Sequence, residues 1–191
     1  MSLAASPVMK PGPEEIDLNR SLQCAVLDGG EIAVVRVLAR GNFNNSMPLK
    51  RFAQHVQAEG KVQRFVVDLQ FCESMDSTFM GVLAGIAITM YQKQKSKLVI
   101  FGASDHCKRL LKNLGLLPLV ELQDGRMAEV ERSEANLQTA EAPTGSRLDQ
   151  IYLTLNAHKE LCRIDSQNEM RFQAVIEYLE KSLKEEAPPQ T

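Results

Sequence analysis

The stretch from Arg64 to Met90 constrains the fold more than any other. Arg64-Phe65-Val66-Val67-Asp68-Leu69 is a short apolar run rich in β-branched residues, as a strand covered on both faces requires. Gln70 to Met75 interrupts it, and Asp76-Ser77-Thr78 follows as a cluster of helix-start residues with Ser77 read as the cap. Phe79, Val82, Leu83, Ile86 and Met90 then recur at helical spacing. A strand that runs into a helix start brings a hydroxyl, free backbone N–H groups and the positive end of the helix dipole to the carboxyl edge of a sheet. Such a place tolerates a phosphate.

The flanks extend the pattern. Leu22 to Leu27 and Ile32 to Leu38 read as two strands joined at Asp28-Gly29-Gly30, a hairpin. Gly41 to Asn45 breaks the chain, Ser46 is read as the cap of a helix with Pro48 in its first turn, and Gly60 stops that helix. After the long helix, Lys97 to Phe101 is another buried strand, and Cys107, Leu110, Leu111 and Leu114 form one face of a helix that ends at Gly115. Leu116 to Leu122 is a strand that Pro118 confines to an edge. Asp124-Gly125 predicts a hairpin turn with Met127 to Val130 pairing back. Strands alternating with helices imply an α/β fold, a mixed sheet with helices packed on it through right-handed crossovers.

The domain organisation expected is a flexible N-terminal arm over 1–17, an α/β domain over 18–132, a polar linker over 133–145, a helical extension over 146–186 and a tail over 187–191. In the extension, Leu148, Ile151, Tyr152, Leu155 and Cys162 form one stripe. Phe172, Ile176, Leu179 and Leu183 form a second, read as an oligomer seam of about two heptads.

Several function classes find no support. Net charge is −2 and there is no basic stripe, so nucleic acid is not an expected partner. No apolar run reaches the roughly 18 residues of a membrane span, and the N-terminus lacks a signal-peptide pattern, which together predict a cytoplasmic protein. The four cysteines have no zinc-like or redox-like spacing, and Cys72 and Cys107 read as reduced core thiols. His55, His106 and His158 are isolated in sequence, and Asp68, Glu73 and Asp76 lack further ligands, so no metal and no cofactor is expected. Neither a Gly-rich phosphate loop nor a Gly-x-Ser-x-Gly elbow is present, and a nucleotide module at the sheet edge has no cradle. No catalytic residues are assigned.

The order of pieces resembles a known family. Val66-Val67-Asp68-Leu69, a short loop, and Met75-Asp76-Ser77-Thr78-Phe79-Met80-Gly81-Val82-Leu83 look like the signature of STAS domains, the anti-sigma factor antagonists among them. Lys97 to Ile100 resembles the family's next strand, and Cys107 to Leu116 resembles its helix ending in leucine-glycine-leucine. The resemblance covers about residues 20–124.

That resemblance implies a bacterial signalling regulator, not an enzyme, whose partner is an anti-sigma factor serine/threonine kinase, with a phosphatase opposing it. Ser77 takes the position of the phosphoacceptor, with Thr78 as neighbouring candidate. By the resemblance Asp76, Gly41 and Asn42 take partner-binding positions; Phe79 and Met80, apolar residues beside the helix start, extend that patch, and the C-terminal helices, read from their apolar stripes, offer a homodimer surface. Phe79 stands where the family has glycine, and Arg147 to Lys184 extends beyond its minimal members. The alternative is an unphosphorylated scaffold or adaptor subunit of a signalling or transport assembly, with Phe79 as an interface anchor.

Overall fold

The computed structural model describes residues 22–140 and 145–186. The arm over 1–17 and the tail over 187–191 lie outside the described residues. Six strands form one sheet. They are β1 (Leu22–Leu27), β2 (Ile32–Val37), β4 (Arg64–Asp68), β6 (Leu98–Phe101), β7 (Val120–Gln123) and β8 (Gln138–Thr139), in the order β7-β6-β4-β2-β1-β8. β1 is antiparallel to β2 and β8, while β2, β4, β6 and β7 run parallel. A separate parallel pair joins β3 (Ala39–Gly41) to β5 (Cys72–Met75).

The parallel strands read as continuous apolar runs because both sheet faces are covered. Ala33, Val35, Phe65, Val67, Leu98 and Ile100 point to one face, where α1 (Phe43–Ala58), α2 (Ser77–Gln94) and α3 (Asp105–Asn113) contribute to the larger core. Val34, Val66, Val99 and Phe101 point to the other, beneath Met127 and Val130. Met127 to Val130 therefore does not pair back as a strand. Val130 lies in α4 (Ala128–Ser133), whose apolar contact with the sheet outweighs the hairpin signal of Asp124-Gly125. Pro118 sits in a 3-10 turn, Leu117–Leu119, so the strand read from Leu116 starts only at Val120; β7 is short and lies at the sheet edge. The stretch read as a linker includes β8, which pairs with β1, and residues 141–144 of it lie outside the described residues.

Two helices follow, α5 (Arg147–Ile164) and α6 (Gln167–Glu186). α5 packs on α2 rather than on the sheet, and α6 packs on α5, so the molecule has an outer helical layer. Residues 78–84 of α2 are all buried, because the sheet lies under the helix and α5 over it. α5 buries two opposed faces: Leu153, Ala157 and Leu161 join the main core, and Ile151 and Leu155 meet Leu179. Tyr152, predicted on the stripe, is exposed. The seam predicted for oligomers is used within the chain. Phe172 and Leu179 are buried, Ile176 and Leu183 partly so, and their apolar faces are already met by α5 and the core.

Candidate functional site

The site is built where two helices start. β3 and β5 pair with Gly41 opposite Met75, and the Asp76 amide donates to the Gly41 carbonyl at 2.9 Å. The loop before α1 is thereby tied to the loop before α2. Asn42, not Ser46, caps α1. Its side chain accepts from the Asn44 amide at 2.9 Å, and Asn45 accepts from the Asn42 amide at 2.7 Å. Ser46 lies inside the helix and donates to the Asn42 carbonyl. Likewise Asp76, not Ser77, caps α2, and its Oδ1 accepts from the Phe79 amide at 2.8 Å. Asp76 takes this role because the chain arrives there with extended backbone, whereas Ser77 is already helical.

Asp76 does more than cap its own helix. Its Oδ2 accepts from the Phe43 amide, the first residue of α1, at 2.8 Å. One carboxylate thus serves two helix N-termini, and the partial positive charges of both are focused on the loop surface around it. Gly41, Asn42, Asp76 and Ser77 are brought together by this arrangement.

Ser77 is the first residue of α2 and is half-buried. Its Oγ lies 3.0 Å from Nε2 of His158, which α5 delivers. The other ring nitrogen, Nδ1, lies 2.8 Å from the Thr154 carbonyl. A carbonyl only accepts, so Nδ1 carries the proton and Nε2 of the neutral ring accepts from the Ser77 hydroxyl. His158 is 4% exposed and meets Phe172 edge-on at 4.8 Å between centroids. In the sequence this histidine is isolated from any partner. Its one legible signal was its spacing from Ile151 and Leu155, which puts it near their apolar stripe.

The other predicted residues divide sharply. Phe79 is fully buried and cannot be a surface anchor. Its ring lies beneath Gly41, where an added Cβ would meet three ring atoms at 2.5–2.9 Å. The bulk gained at residue 79 is accommodated by the bulk missing at residue 41. Met80 and Thr78 are 3% and 6% exposed. They support the surface from below rather than forming it. Asp68, Glu73 and Asp76 do not converge: Asp68 is buried against Arg36 at 2.7 Å, Glu73 is exposed, and Asp76 caps. Among the described residues no group of three or more His, Cys, Asp or Glu is placed to hold a metal ion, and no helix is long and apolar enough to cross a membrane.

The STAS domain model matches residues 26–133. The chain belongs to the STAS domain family. The match ends before α5, so the helix that carries His158 lies outside the matched STAS segment. The anti-sigma-B factor antagonists of Listeria monocytogenes and Listeria innocua are each 41% identical over 66 residues, 35% of this chain and 55% of theirs. The chain spans about half the length of the curated relatives it matches. The unphosphorylated form of the anti-sigma factor antagonist SpoIIAA shares the fold, with a TM-score of 0.50 and 15% identity over 60% of this chain and 95% of that one.

Proposed function

We propose that this STAS protein is an anti-sigma factor antagonist that acts by binding, not catalysis, in the cytoplasm. Its partner is an anti-sigma factor serine/threonine kinase, and phosphorylation of Ser77, reversed by a phosphatase, switches the complex. Family membership supports the class. The observation that carries the switch is the place of Ser77, half-exposed in the first turn of α2 beside the carboxylate where two helix starts meet.

The energetics agree with that role. A phosphate adds about −1.5 to −2 charges. The dipole of α2 and the N–H groups of its first turn offset part of that charge within the domain. A partner packed over Ser77 would have to strip water from the phosphate, and so the complex is disfavoured while the fold persists. Asn42 and Asp76 form the proposed partner surface; Gly41, expected there, is itself buried and lies over the Phe79 ring. Phe79 and Met80 hold its shape, and Thr78 is the less accessible hydroxyl.

Phosphosite mapping by mass spectrometry, on protein from its native host under phosphatase inhibition, is expected to place phosphate on Ser77. A fully covered peptide with Ser77 and Thr78 unmodified across growth conditions refutes the switch. A second reading, a scaffold, is favoured by one observation: the α5–α6 layer already holds the Ser77 hydroxyl through His158. A homodimer through Phe172, Ile176, Leu179 and Leu183 would first have to open the contact between α5 and α6.

A further inference from the structure

Ser77 and His158 stand 81 positions apart in the chain, yet they share a hydrogen bond. The imidazole is fixed from several directions. The Thr154 carbonyl sets its tautomer and Phe172 flanks its ring. Ala157, the residue before it, packs so tightly on Gly81 of α2 that a side chain at residue 81 would collide with the Ala157 carbonyl. With α5 seated this closely, Nε2 is aimed at the Ser77 hydroxyl and cannot turn away without breaking the bond at Nδ1. The group behind Nδ1 is a carbonyl, not a carboxylate, so the pair lacks the third member of a serine-histidine-aspartate triad.

Resting on the reading of Ser77 as the phosphoacceptor, we propose that His158 is an intramolecular phosphate-binding residue. Phosphorylation of Ser77 then fastens the α5–α6 hairpin to α2. In the transfer, Oγ bonds to the γ-phosphorus of a nucleoside triphosphate, the bond from that phosphorus to the bridging oxygen breaks, and the diphosphate leaves with the electron pair. The hydroxyl proton has Nε2 at 3.0 Å to receive it. The product oxygens only accept, so a bond to His158 requires a proton between ring and phosphate. The negative charge that a phosphate brings to Nε2 favours a proton on that nitrogen, because an opposite charge nearby stabilises the protonated ring.

The surroundings favour keeping the contact. Ser77 is half-exposed, which leaves the phosphate an open side toward solvent. The carboxylate of Asp76 is turned to the amides of Phe43 and Phe79. From the packed elements, His158 is met by Ser77 of α2, Phe172 of α6 and the Thr154 carbonyl of its own helix. A neutral hydrogen bond is thus replaced by a charge-assisted one, about twice as strong. The extension beyond the matched STAS segment becomes a reader of the phosphate in the same chain.

The test uses the full chain with phosphoserine genetically encoded at position 77. In a phosphorus-31 NMR titration, the phosphate midpoint is expected about one pH unit lower beside His158 than in the His158→Gln variant. Amide exchange in α5 and α6 is expected to slow about tenfold on phosphorylation, as a strengthened contact closes local openings. Equal midpoints, or faster exchange in α5 and α6, overturn the proposal; the latter means that the phosphate expels the hairpin. If His158→Gln does not fold, nitrogen-15 shifts of His158 decide. A doubly protonated ring at neutral pH only in the phosphorylated chain supports it, and a neutral ring in both overturns it. Because the phosphate is encoded, this result stands apart from phosphosite mapping, whose failure would sink the switch and leave the pair measured.

Discussion

Replacing Gly41 by alanine places a methyl against a ring that cannot retreat. The added Cβ would meet Cδ1, Cε1 and Cγ of Phe79 at 2.5, 2.7 and 2.9 Å. Phe79 is fully buried on the side of α2 that meets the core, and β3 is held to β5, so relief requires movement of packed elements. Overpacking of this kind costs about 1–3 kcal/mol. Gly41 does not use a left-handed backbone, so an alanine there carries no conformational penalty of its own. Phe79→Ala alone removes a core ring and costs about 3–5 kcal/mol. With the ring gone, the methyl at residue 41 meets no clash and fills part of the cavity. The double variant is therefore expected to be less destabilised than the sum by about 1–3 kcal/mol, a coupling typical of residues in contact. Urea unfolding of the four proteins measures this cycle. If Gly41→Ala costs the same with and without the Phe79 ring, the proposed complementarity of the two positions is wrong.

Two further outcomes follow from the site and the core. Asp76→Ala removes the cap of α2 and the acceptor at the start of α1, and is expected to cost about 1–2 kcal/mol, whereas Ser77→Ala costs less in thermal unfolding; equal losses would contradict the capping assignment. Burial pushes the Cys24 thiol up to about 12. The folded state then keeps a proton that the unfolded chain releases above about pH 8.5–9. The stability this gives is fully present below pH 9 and is lost as pH rises toward 12, at about 1.4 kcal/mol per pH unit. Urea unfolding between pH 8 and 10.5 should show a shallower decline for Cys24→Ala, and an unchanged slope would refute the assignment.

Much of the fold was legible because it is dictated locally. The apolar run at Phe65 to Leu69 and the hairpin at Asp28-Gly29-Gly30 each depend on a few neighbouring residues. The helix caps are less legible. Local sequence points to a serine at both helix starts, Ser46 and Ser77, whereas Asn42 and Asp76 hold the caps. Several consecutive polar residues satisfy the same propensity, and only the path of the incoming strand selects one. The burial of Phe79 is hidden from local sequence for a related reason. Helical periodicity shows which residues lie near an apolar face, but residues 78–84 are covered all round, and periodicity does not reveal a second covering layer.

The sequence by itself determined the alternation of strands and helices, the STAS signature and the candidacy of Ser77, since these rest on patterns within a turn or a strand. Only the tertiary structure decided that one carboxylate serves two helix starts, that Gly41 makes room for Phe79, and that His158 reaches Ser77. Each of these joins residues more than thirty positions apart, beyond the reach of any local propensity. They exist because the main core forces α1, α2 and α5 together, and polar groups trapped at those junctions must find partners there.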